Sequence, residues 1–184
     1  MNHTGTVNIE TTRLLLRRFM KDDAVSIFRN WARDPEVSKH LTWEPHLNIE
    51  TTEKILEMWL DQYDSSEVYN WAIVSKDTRQ PIGSVSVVNL SNESRKCELG
   101  YCLGRKYWGL GLMTEAVKAV MEYLFNTVGF NRIQAYHHID NPASGRVMVK
   151  SGMKHEGRMR QFARNNQGEL VDVDFYGAIK DDFN

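Results

Sequence analysis

Between Lys106 and Ala116 the chain reads Lys-Tyr-Trp-Gly-Leu-Gly-Leu-Met-Thr-Glu-Ala, which sets Gly109 and Gly111 one residue apart just ahead of a helical pattern. Glycine reaches backbone conformations closed to other residues and carries no Cβ to keep a bulky anion away from the amides. The N–H groups of about Leu110 to Met113 are then expected to point outward without partners. A helix starting there adds its orphan donors and the positive end of its dipole, worth roughly 0.3–1 kcal/mol per negative charge. A diphosphate suits such a turn.

The flanks decide what the turn belongs to. Residues 97–103 and 132–138 are β-type runs, and between them Met113 to Val128 is helical. Ala116, Val117, Val120, Met121, Leu124, Phe125 and Val128 fall at three- and four-residue intervals on one face, and Gly129 is the expected stop. Strand, glycine turn, helix and strand form a crossover unit, so the two strands should be parallel with a ligand beyond their carboxyl ends.

Upstream, residues 14–19 read as a strand, followed by Asp22 or Asp23 as a cap before a helix carrying Ala24, Val25, Ile27, Phe28 and Trp31. Asp34-Pro35 and Glu44-Pro45 break the chain, and Thr51 to Tyr63 is a second helix. Residues 69–75 and 82–90 suggest a hairpin, and Ser91 to Ser94 turns the chain into the strand of Glu98. Asn141-Pro142 opens a short helix ending at Gly152, and strands 154–164 and 170–179 close the chain around Asn165 to Gly168.

The 184 residues, 41% hydrophobic and without a long polar tract, suit one compact domain over 1–184. A net charge of −1 offers no general attraction to nucleic acid or an anionic membrane, so an anion site must be local. With no signal-like amino terminus and no long apolar run, the expected location is cytoplasmic. Cys97 and Cys102 lie an odd number apart on one strand, hence on opposite faces and unable to bond readily. None of the six histidines falls in a metal-ligand spacing, so no metal is expected.

The turn resembles the Gln/Arg-x-x-Gly-x-Gly/Ala motif by which GNAT N-acetyltransferases hold the pyrophosphate of acetyl-CoA, with Lys106 in the first place. The order of elements resembles the GNAT fold from end to end. That implies an α/β domain with a mixed central sheet of about seven strands and helices on both faces. Thr12 to Arg17, Cys97 to Tyr101, Tyr107 to Gly111 with Thr114-Glu115-Ala116, and Asn141 to Ser144 running into Lys150 to Met153 resemble the RimJ/RimL branch, which acetylates amino termini of ribosomal proteins. The resemblance implies acetyl-CoA as co-substrate, held by Lys106, Gly109, Leu110, Gly111, Leu112, Met113 and Asn141. It implies a protein N-terminus as acceptor, with a small amine as the alternative and a homo-oligomer left open.

An amine attacks a thioester only when unprotonated, although an α-amino group has a reference pKa of about 7.7–8.0. Glu98 is the candidate base, directly or through water. A backbone N–H near the end of its strand would steady the oxyanion, the role the family usually gives that strand. Many GNAT enzymes protonate the leaving sulfur with a tyrosine, but alignment from Gly152 puts Met148 there. Ser144, one turn earlier on the same face, is the candidate donor. Asn141 suits the amides of the pantetheine arm, unless it only forms an Asx turn before Pro142. Arg105 and Lys106 can add charge for the phosphates, and Trp43 can wall the acceptor cleft. Two other classes compete. A non-catalytic acyl-CoA sensor would keep the turn without Glu98 and Ser144, and a dinucleotide-binding protein would want glycine where Thr114 stands.

Overall fold

In the computed structural model, which describes residues 1–183, the chain runs β1 (Ile9–Glu10), β2 (Leu14–Arg17), α1 (Ala24–Ile27), α2 (Pro35–Ser38), α3 (Ile49–Gln62), β3 (Asn70–Ser75), β4 (Pro81–Ser91) and β5 (Lys96–Leu103). It continues through α4 (Leu112–Tyr123), β6 (Arg132–His138), α5 (Pro142–Lys150), β7 (Lys154–Arg164) and β8 (Leu170–Ile179). One sheet holds all eight strands in the order β1-β2-β3-β4-β5-β6-β8-β7. This is the expected mixed sheet of about seven strands with one added: β1 pairs antiparallel with Leu15 and Leu16 and is too short to show an alternation in sequence.

Apolar residues fill both faces of the sheet. Trp71 and Ile73 of β3 point into a core with α4 and α5, while Ala72 and Val74 point into a second core with α1 and α3. That double burial explains why β3 reads as a continuous apolar run. The stripe of α4 is buried as its spacing requires and extends through a π turn, Leu124–Val128, to Gly129 at φ 91°.

Helix starts follow local chemistry. Asn48 Oδ1 accepts the Thr51 N–H at 3.0 Å and opens α3. Asp23 accepts the Met20 N–H at 2.8 Å and takes a bidentate pair from Arg17 at 2.7 and 2.8 Å, so the first helix is tied to β2 through a largely buried ion pair. The first helix is also less regular than expected, with a 3-10 turn before α1 and a π turn at Phe28–Ala32 after it. Asp34-Pro35, read as a break, instead starts α2, because proline at the first helical position is pre-set for a helix and Asp34 Oδ1 accepts the Glu36 N–H at 3.0 Å.

One pair of neighbouring strands, β5 and β6, is parallel, and it is matched only at Lys96–Arg132, Cys97–Ile133 and Glu98–Gln134. Beyond that the strands diverge. β5 stays with β4 up to Leu103, and β6 stays with β8 up to His138. Each strand keeps its other partner while the sheet twists, so the seam between them opens and leaves the β6-facing main-chain groups of residues 99–102 without a strand partner.

Candidate active site

The glycine turn lies at the head of α4 with Gly109 and Gly111 both at φ 75°, and Gly111 is the N-cap. The first backbone bond of the helix is Glu115 N–H to Gly111 O at 3.1 Å, and among the described residues no acceptor meets the N–H groups of residues 109–114. An unpaired run of that kind at a helix start is a site for an anion with several oxygens. Beyond its own chain neighbours nothing lies within 4 Å of where a Gly109 Cβ would stand, so that side of the turn is open.

A cavity of about 1100 Å³ reaches from this turn through the β5–β6 gap to the opposite face. Gly109, Gly111, Leu112, Met113, Asn141, Ser144 and Glu98 all line it. Lys106 and Leu110 do not: Lys106 is exposed on the 3-10 turn Arg105–Tyr107, and the Leu110 carbonyl is turned toward Arg13. Arg105 pairs with Asp34 at 3.1 Å, which commits its charge to the cap of α2.

Glu98 sits where the strands part, only 8% exposed, and its carboxylate accepts from Gln134 Nε2 at 3.0 Å and Asn89 Nδ2 at 3.3 Å. Alternation sends Glu98 to the α1–α3 face with Gly100 and Cys102. Gln134 and Tyr136 of β6 share that face, and the Tyr136 phenol is pushed up by burial and by the Glu98 charge. Cys97 faces the α4–α5 core while Cys102 packs toward the other, so both thiols are free.

On the α4–α5 face, Tyr101 Oη lies 2.9 Å from Ser144 Oγ and donates to the Ser144 carbonyl at 3.1 Å. Burial raises the Tyr101 phenol well above its ordinary range, so it stays protonated. Asn141 caps α5; its Oδ1 accepts the Ser144 N–H at 3.4 Å, and its amide nitrogen has no partner among the described residues. Met148 is core, 1% exposed. α5 approaches β6 closely because position 145 is glycine: a Cβ there would stand 2.5 Å from His137 Nε2.

The α1–α3 face of the cavity is aromatic and histidine-rich. Trp43 lines it and packs at 5.6 Å against His46, whose Nδ1 meets Thr52 at 2.8 Å. Across the mouth the His40 and His138 rings lie 5.3 Å apart. Trp31 is core at 2% exposure and also reaches the wall. Among the described residues no group of three His, Cys, Asp or Glu side chains could hold a metal ion, and no helix is long and apolar enough to cross a membrane.

Sequence reasoning missed Tyr101, Gln134, Tyr136 and Arg13. The first three sit at ordinary alternating strand positions, and only strand register or contacts across the gap bring them to the site. Arg13 lies inside the Thr12–Arg17 phrase, where nothing in its sequence context marks a task for it.

The model of the "Acetyltransferase (GNAT) domain" family matches residues 13–154. The uncharacterized N-acetyltransferase YoaA of Bacillus subtilis is 31% identical over 172 residues, covering 94% of this chain and 96% of that protein. The [ribosomal protein uS5]-alanine N-acetyltransferase of Escherichia coli is 28% identical over 165 residues, 85% of this chain and 82% of its own length. Among solved structures, RimL, the ribosomal L7/L12 α-N-protein acetyltransferase in complex with coenzyme A, superimposes with a TM-score of 0.83 at 21% identity, covering 94% of this chain and 98% of that one.

Proposed function

The chain belongs to the GNAT acetyltransferase family and is an N-acetyltransferase, and from that premise we propose that it moves the acetyl group of acetyl-CoA to the α-amino group at a protein's N-terminus. The observation that carries the cofactor half is the unpaired run of N–H groups over residues 109–114, opening into the same cavity as Asn141 and Ser144. Those groups fit a diphosphate followed by an amide-bearing arm. The bound thioester supplies an acyl carbon activated by a leaving thiolate.

The chain's own residues divide the remaining work between the two faces. Glu98, steadied by Gln134 and Asn89, takes the amine proton on the α1–α3 face. The β6-facing main-chain N–H groups among residues 99–102, released from pairing with β6, are the donors for developing negative charge on the acyl oxygen. Ser144 serves the sulfur from the other face. When Tyr101 donates to Ser144 Oγ, the serine hydroxyl hydrogen is free for the sulfur; when Tyr101 donates to the Ser144 carbonyl, that hydrogen is drawn back to Tyr101.

The acceptor assignment rests on the open α1–α3 face. Glu98 is the carboxylate set into the strands there, while Glu36 and Glu67 line the cavity only from exposed positions. A polyamine or aminoglycoside carries several cations and favours several buried carboxylates, whereas a peptide needs a long, mainly apolar groove for a single amine. The uS5-alanine acetyltransferase relative supports the same reading. The test is acetyl-CoA turnover on peptides beginning with alanine or serine beside spermidine and an aminoglycoside, with the acetylated nitrogen located by mass spectrometry. Faster turnover of the small amines would overturn the peptide assignment.

A further inference from the structure

Thr11, Arg13 and Glu115 form a knot that the reaction itself does not call for. Glu115 Oε1 accepts from Thr11 Oγ1 at 2.7 Å and from the Arg13 N–H at 2.8 Å, and Oε2 accepts from Arg13 Nε at 2.7 Å. The guanidinium then reaches past its partner, and Nη1 donates to the Leu110 carbonyl at 2.9 Å. A surface ion pair needs no such second contact.

Leu110 lies between two glycines in the left-handed region. Glycine takes either hand almost freely, so this turn has no side chain of its own to hold one orientation of its peptide planes. In a trans peptide the C=O and the following N–H point in opposite directions. Fixing the Leu110 carbonyl therefore fixes the Gly111 N–H on the other side of the plane. Arg13 and Leu110 do not line the cavity, whereas Gly109 and Gly111 do.

We propose that Arg13 is a positioning residue for the diphosphate turn: braced by Glu115, it holds the Leu110 carbonyl away from the cavity and so keeps the Gly111 N–H aimed into it. The inference rests on the acetyl-CoA reading of the turn. Without the brace, the peptide between the glycines rotates, presenting a carbonyl dipole to the phosphates part of the time, and ligand binding must bear the cost of ordering it. Lysine cannot replace the arginine, since one ammonium cannot span the carboxylate and the carbonyl as a rigid fork does.

The test is isothermal titration of free coenzyme A into the full chain, comparing wild type with Arg13→Lys, Arg13→Ala and Glu115→Gln, beside thermal unfolding without ligand and KM for both substrates. Arg13→Lys and Arg13→Ala should weaken coenzyme A about tenfold, with Glu115→Gln between them and wild type, and with the amine KM unchanged. Wild-type coenzyme A affinity in folded Arg13→Lys, or an equal rise in both KM values, would overturn the proposal while leaving the turn as the cofactor site. Wild-type protein that gives no binding heat would overturn the cofactor reading and this inference together. If Arg13→Ala fails to fold, Arg13→Lys, which keeps the positive charge, decides.

Discussion

Glu98 shows what one buried side chain can be asked to do and how to check it. Both of its mapped partners are amide nitrogens, which leaves the carboxylate able to accept a proton from an incoming amine. Glu98→Gln keeps the shape and removes the proposed base. A positioned base contributes about 10²–10⁴-fold, so kcat should fall by that order while the KM for acetyl-CoA holds, and adding pH to the assay should restore part of the loss because free amine becomes commoner. A wild-type pH profile from steady-state assays would assign the proton to another group. Glu98 and Ser144 were singled out from family-like phrases, but Tyr101, inside the same phrase as Glu98, was given no task. Its odd strand position marks it as a core aromatic, and its hydroxyl gains a task only because α5 lies across that face.

At the scale of elements, the two longer helices were legible because their apolar positions recur every three to four residues, and the strands because turn residues bound them, with clear alternation in β6 and a continuous apolar run in β3. The misses have local causes: β1 is two residues long, the π turns lie inside stretches that keep a helical apolar pattern, and Asp34-Pro35 starts α2 where a break was expected. The departure of β5 from β6 has no residue pattern of its own, since it arises from competition among three strand pairings. The position of α5 is equally a matter of fit. Gly145→Ala places a methyl 2.5 Å from the buried His137 ring. Overpacking costs about 1–3 kcal/mol, against at most about 1 kcal/mol gained in helix propensity. Urea unfolding should show a net loss, and the KM for acetyl-CoA should rise because Asn141 and Ser144 travel with the helix. A more stable variant with unchanged KM would mean that α5 is not held by this contact.

For the molecule as a whole, a ligand that reaches from the head of α4 to the start of α5 bridges two helices that pack in the same core on one face of the sheet. Binding to the native state alone adds RT ln(1 + [L]/Kd), about 2.7 kcal/mol at a hundred times Kd. A domain of this size gains about 2–4 °C per kcal/mol, so saturating coenzyme A should raise Tm by about 5–11 °C in scanning fluorimetry. Replacing Gly111 with valine, whose Cβ is strained at φ 75°, should abolish the shift. A full shift in that variant would place the ligand elsewhere.

The parting of β5 and β6 makes the sheet a partition with a window in it. On the proposed assignment the thiol carrier has one room, with Ser144 and Tyr101, and the nucleophile has the other, with Glu98, so neither visitor has to vacate before the next is admitted. Under the proposed function, direct handover in a three-body encounter follows from that floor plan, with no residue of the wall needing to carry the cargo in between.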